Sequence, residues 1–144
     1  MGLFDKAVQR IFDLREATMY TPELILDSYS EKKMGWLKGG GRDFEQLTPA
    51  LKAKMVEAYA AGMAMLAKGT STDAMLPARM AGEAFKQEII TRLANGGGEV
   101  KGGMRPLAAS TIARKGHSRI GYDTGSLFMA MTKARVLIKK KGSK

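Results

Sequence analysis

A chain of 144 residues with 44% hydrophobic side chains suits one folded domain and leaves little room for two independent cores. It has no Cys, which excludes disulfides, thiolate metal sites and a Cys nucleophile, and one His, which leaves His117 as the sole imidazole base. The formal charge is +10, and residues 105–144 hold ten Lys and Arg against a single acid, Asp123, so that stretch carries nearly all of the excess. Such asymmetry points to an anionic partner, DNA or an acidic protein surface, or to a solvated basic tail. No apolar run approaches the ~20 residues of a bilayer span. Met1 to Arg10 lacks the basic-then-apolar order of a signal peptide, so a soluble protein made in the cytoplasm is expected.

Four main helices are predicted. The first, about Leu3 to Arg15, repeats apolar residues at Leu3, Ala7, Ile11 and Leu14 and at Phe4, Val8 and Phe12, which gives a wide apolar face. The second is expected to open at Thr21-Pro22-Glu23 and to run to about Lys38 before Gly39-Gly40-Gly41. The third opens at Thr48-Pro49 and runs to about Lys68, with Gly69 placed for a left-handed stop. Its small residues (Ala58, Ala60, Ala61, Gly62, Ala64, Ala67) allow close helix approach, in a crowded bundle or at a subunit contact, with core packing the favoured expectation. The fourth follows Pro77, from about Ala78 to Leu93, with Phe85, Ile89 and Leu93 as its stripe and Asn95-Gly96-Gly97-Gly98 as terminator.

From Asn95 to Met104 five of ten residues are Gly, which reads as a loop or extended hairpin. A short helix is expected after Ser110, ending near Gly116, and another from Ser126 to about Met131. Lys133 to Lys139 then alternates, with Ala134, Val136 and Ile138 on one face, and predicts a strand. A lone strand needs a partner: the 98–106 segment, or a neighbouring subunit by strand addition. The fold class expected is therefore α+β and predominantly helical: four main helices, a short C-terminal helix, and a small β element completed within the chain or by a neighbouring subunit.

Little in the chain suggests catalysis. The Gly runs at 39–41 and 96–98 follow helices and lack the Gly-x-x-x-x-Gly-Lys-Ser/Thr of a phosphate-binding loop. His117 lies between Lys115 and Arg119, which disfavour its charged form and offer no orienting carboxylate; Asp123, six residues away, could approach, but no nucleophile with oxyanion donors is evident. No His-rich or carboxylate spacing suggests a metal, and no cofactor is expected. The basic C-terminal cluster lacks a sequence-reading element, so any DNA contact is expected to be phosphate contact alone.

One segment carries a resemblance. Arg105 to Met131 contains Pro106, Leu107, Thr111 and Lys115 in a Pro-Leu-(x)3-Thr-(x)3-Lys spacing, then a basic loop, then Asp123-Thr124-Gly125-x-Leu127 entering a helix. This pattern resembles the virion morphogenesis and tail-completion (head–tail joining, neck) proteins of tailed phages. With the preceding helix the likeness spans about 60 residues from roughly residue 78. Asp-Thr-Gly also marks aspartic proteases, but those need paired loops in an all-β fold.

The resemblance implies a non-enzymatic structural virion protein, a head–tail connector, tail-completion or tail-terminator subunit of a homo-oligomeric ring, hexamer or dodecamer. Its partners would be portal or adaptor and tail proteins, with non-specific contact to genomic DNA and no membrane. It would be assembled in the host cytoplasm and located in the neck or tail of the virion. Residues 1–70 would be a helical N-terminal extension and 71–144 a tail-completion-like domain with a basic tail, the two forming one compact unit. The motif residues are read as architectural: Asp123 or Thr124 caps, Gly125 permits a tight entry, Leu127 anchors. Arg114, Lys115, Arg119, Lys133, Arg135, Lys139, Lys140 and Lys141 are the candidate contacts to DNA or a partner. The alternatives are a non-specific nucleic-acid-binding accessory protein and a minor tail or baseplate protein.

Overall fold

The computed structural model describes residues 2–97, 100 and 126–141. The fold is α+β and mostly helical: α1 (Leu3–Ala17), β1 (Tyr20–Ile25), α2 (Ser28–Gly39), α3 (Pro49–Lys68), α4 (Leu76–Ala94), α5 (Ser126–Thr132) and β2 (Arg135–Lys140). The two strands pair antiparallel. The short helix expected after Ser110, the extended segment to Met104 and Gly98 of the predicted terminator lie outside the described residues.

By contacts the chain divides into two units, one of residues 1–24, 49–85 and 136–144, the other of residues 25–48 and 86–135. In the first, Ala17, Leu51, Leu66, Ala78 and Ala81 are buried. α3 has the predicted bounds, and Gly69 stops it at φ +74°, a conformation that favours glycine. Of its small residues Gly62 makes the close contact: a Cβ there would lie 2.7 Å from the Pro77 Cα at the start of α4. Ala60, Ala61, Ala64 and Ala67 are exposed, contrary to a uniformly packed small-residue face. The start of α4 is held by Asp73, which accepts the Met75 N–H at 3.0 Å and the Arg79 guanidinium at 2.7 Å.

β1 corrects the second predicted helix. Thr21-Pro22 does not open a helix; it lies in the strand. Steric conflict with a following proline favours extended backbone at Thr21, and a two-stranded sheet has edges on which Pro22 is tolerated. Helix α2 starts later, where Asp27 accepts the Ser30 N–H at 2.9 Å and the Ser30 hydroxyl at 2.7 Å. β1 is also the partner of the predicted C-terminal strand, so pairing within the chain is what the structure has. Glu23 pairs with Lys139, and the Lys141 N–H donates to the Met19 carbonyl at 2.6 Å. Gly82 of α4 lies against this sheet, where a Cβ would come within 2.8 Å of the Pro22 Cβ.

The first helix forms as its periodicity predicts but faces differently. Ile11 and Phe12 are 64% and 56% exposed, whereas Asp13 and Ala17 are buried. Gln9 donates to the Asp13 carboxylate at 2.9 Å, so the buried acid has a partner.

The second unit buries Met34, Phe44, Ile89, Leu93, Val100, Leu127, Met131 and Ala134. Among them lies Arg92, fully buried. Its Nη1 donates to the carbonyls of Phe44 (2.9 Å) and Gln46 (2.8 Å), and its Nε is 3.4 Å from Glu88 Oε1. This clamp ties the loop before α3 to the last turns of α4. Both predicted glycine stops act as expected: the Gly40 N–H donates to the Trp36 carbonyl at 3.0 Å, and the Gly97 N–H to the Arg92 carbonyl at 2.7 Å.

Candidate partner-binding surface

The candidate surface is built on the turn from α5 into β2. Leu127 and Met131, four residues apart, are buried and fix the roll of α5. The helix closes as the Lys133 N–H donates to the Ala130 carbonyl (3.2 Å) and the Ala134 N–H to that of Met131 (3.1 Å). Lys86 Nζ donates to the Ala134 carbonyl at 2.8 Å, which holds the chain where it becomes extended. Lys133 and Arg135 flank buried Ala134 and stay exposed.

Those two cations line a half-open pocket of about 340 Å³, together with Ile25, Leu26, Asp27 and Ala130. An apolar floor under two cations suits a segment that offers an apolar side chain beside a carboxylate or phosphate. Asp27 sets a limit on one side. The Ser30 backbone N–H, and then its hydroxyl, stabilise the Asp27 carboxylate and lower its pKa below the usual value.

The remaining candidate residues behave differently from one another. Lys139 is engaged by Glu23, whereas Lys140 and Lys141 are exposed. Leu127 is buried as expected of an anchor. Pro106, Leu107, Thr111, Arg114, Lys115, Arg119, Asp123, Thr124 and Gly125 lie outside the described residues, as does His117. The sequence reading missed Ile25, Leu26 and Asp27 because it placed them inside a helix. The Asp27-Ser28-Tyr29-Ser30 capping pattern was the available signal.

A second open cavity, about 360 Å³, lies in the other unit, where Lys6, Gln9, Arg10 and Asp13 of α1 face Ser71 and Thr72. There the Arg10 guanidinium lies over Gly69, where a Cβ would meet its Nη2 at 2.7 Å. Burial, and then the Glu16 carboxylate, raise the Tyr20 pKa, while the hydrogen bond from Arg79 lowers that of Asp73. Burial, and then Asp43, raise the pKa of Glu45. Among the described residues no three acids or histidines gather as a metal site, and no helix is long and apolar enough to cross a membrane.

No protein-family model, curated protein or solved structure matches the chain.

Proposed function

We propose that the chain is a structural virion protein of a tailed bacteriophage, a ring-forming head–tail connector or tail-completion (neck) subunit that performs no reaction. The reading is carried by the tail-completion-like segment that leads into α5. In support of its architectural role, the residue at the motif's anchoring position, Leu127, is buried in the first turn of the helix. Two further features suit a subunit that works in contact with others: the outward apolar face of α1 at Ile11 and Phe12, and the cation-lined pocket at Lys133 and Arg135. Large exposed apolar side chains on a soluble chain mark contact surfaces when they cluster.

The test is electron microscopy of virions carrying a tagged copy, with negative-stain images of the purified protein. Label at the portal–tail junction and rings of the isolated chain are expected. Label absent from particles and confined to infected-cell extract overturns the reading.

A second reading, a non-specific nucleic-acid-binding accessory protein, is favoured by the exposure of Lys133, Arg135, Lys140 and Lys141. Binding of duplex DNA by a monodisperse monomer, weakening steeply with salt, would select it.

A further inference from the structure

Helix α2 buries one side and leaves the other bare. Ser30 and Met34 are buried and Leu37 is half-buried, at the i, i+4, i+7 spacing of an inward face. Tyr29, Lys32 and Trp36 are exposed at the outward spacing i, i+3, i+7, and Lys33 is half-buried at the edge of that face. Tyr29 is 63% exposed and Trp36 65%. Two large aromatic rings so exposed on one short helix are unusual for a soluble protein, because each leaves apolar surface in water.

The rings are also arranged. Their centroids are 6.4 Å apart and their planes 89° apart, an edge-to-face pair spanning two helical turns. In such a pair one ring keeps both faces open and the other keeps one. Between them lie Lys32, exposed, and Lys33, half-buried, with Glu31 as the one acid within the helix.

Gly35 is a second, independent observation. A helical glycine is less stable than alanine by roughly 0.5–1 kcal/mol, so packing usually explains one. A Cβ at Gly35 would have nothing within 4 Å, and the same holds for Gly39. Among the described residues no neighbour requires these bare positions. They leave the backbone beside Trp36 open to close approach from outside.

The geometry points to α2 as a binding face for single-stranded nucleic acid, with bases stacking on Trp36 and Tyr29 and phosphates meeting Lys32 and Lys33. Open ring faces next to cations are what such ligands use, and stacking there is tolerant of sequence. Lysine is depleted at protein–protein interfaces relative to the rest of the surface, so its presence between the rings favours the polyanion. A second copy in the same orientation would set lysine against lysine. This inference is independent of the neck reading.

Trp36 is the only tryptophan of the chain, so its fluorescence reports the site directly. The full-length protein is titrated at low salt with single-stranded oligothymidylate of about 15 nucleotides, the upper range for one binding site. Duplex DNA of the same length and poly-L-glutamate serve as comparison ligands. Saturable quenching by oligothymidylate, exceeding that by either comparison ligand, is expected. Anisotropy of a labelled oligonucleotide should then show binding weakened roughly ten-fold or more in Trp36→Ala, as expected for loss of one stacked base. Trp36→Phe should keep most of the affinity, and Lys32→Glu/Lys33→Glu should lose it. Circular dichroism checks the fold of each variant, and an exposed ring can be removed without opening a core. No quenching, equal quenching by poly-L-glutamate (an acidic protein surface instead), stronger quenching by duplex, or unchanged affinity of a folded Trp36→Ala variant would overturn the assignment.

Discussion

Each of the two units has its own internal means of cohesion, and the two means are opposite. In the unit built on α3, the start of α4 and the paired strands, the decisive contacts are bare backbone positions: Gly62 against Pro77, and Gly82 against Pro22 and Val136. In the other unit a buried guanidinium joins the 44–46 loop to α4 through two carbonyls and Glu88. The first arrangement fails when volume is added, the second when donors are removed. Side-chain size and side-chain charge should therefore be tolerated in complementary places.

The sharpest way to break this contrast is Arg92→Met. It keeps much of the volume but removes the buried charge beside Glu88 and the donor to the Phe44 and Gln46 carbonyls, and should cost about 3–5 kcal/mol, as for loss of one partner from a buried pair. Urea unfolding reads it, and a loss below about 1 kcal/mol would show that the clamp is dispensable. Next comes Gly62→Ala, expected to cost roughly 1–3 kcal/mol because the obstacle is Pro77 backbone, which cannot rotate aside. Thermal unfolding of this variant beside Gly82→Ala should rank them in that order, since the nearest obstacle at Gly82 is a Val136 methyl, which can shift in part.

Two smaller effects should have the opposite sign. Gly35→Ala meets open space and should stabilise the free chain by about 0.5–1 kcal/mol, visible as a higher melting temperature. Glu45→Gln should stabilise by a few tenths of a kcal/mol at neutral pH, after allowance for solvent screening. The folded state raises the Glu45 pKa above 4.5, so its ionised form opposes folding at neutral pH. That opposition fades as pH falls through the raised value and is gone below about 4.5. Asp27 and Asp73 act the other way: their lowered pKa values contribute stability above about 3.8 that is lost in stronger acid. Melting temperatures of the parent and Glu45→Gln should thus converge as pH drops from 7 towards 4.5.

The helices were legible where local chemistry decides the outcome. Pro49 at the first turn and Gly69 at the stop define α3, and the positive φ of Gly41 and Gly97 after α2 and α4 is backbone freedom that glycine supplies. The errors lie where tertiary contacts decide. Thr-Pro is compatible with a helix start and with an extended chain, and what selects the strand is pairing with Arg135–Lys140, far along the sequence. The α1 periodicity predicts a helix but says nothing of which side is covered, and Asp13 rather than Phe12 is buried. At the candidate surface, Lys133, Arg135, Lys140 and Lys141 could be named from charge. The pocket floor at Ile25, Leu26 and Asp27 could not, because it depends on that same strand. Arg92 gave no sign of burial, for an arginine in a polar-looking last turn is ordinarily solvated.

The pairing of β1 with β2 also bears on how the chain is made. About a hundred residues separate the two strands. A ribosome adding roughly 5–20 residues per second would leave the first strand without its mate for several seconds or longer after it emerges. During that interval Tyr20–Ile25 is a loose edge, open to other chains being synthesised nearby. Glu23 and Pro22 on that strand are the residue types that discourage such adventitious pairing, a charge and a missing N–H donor. Glu23, half of the salt bridge in the finished fold, thus has an earlier use, keeping nascent copies apart until Lys139 arrives.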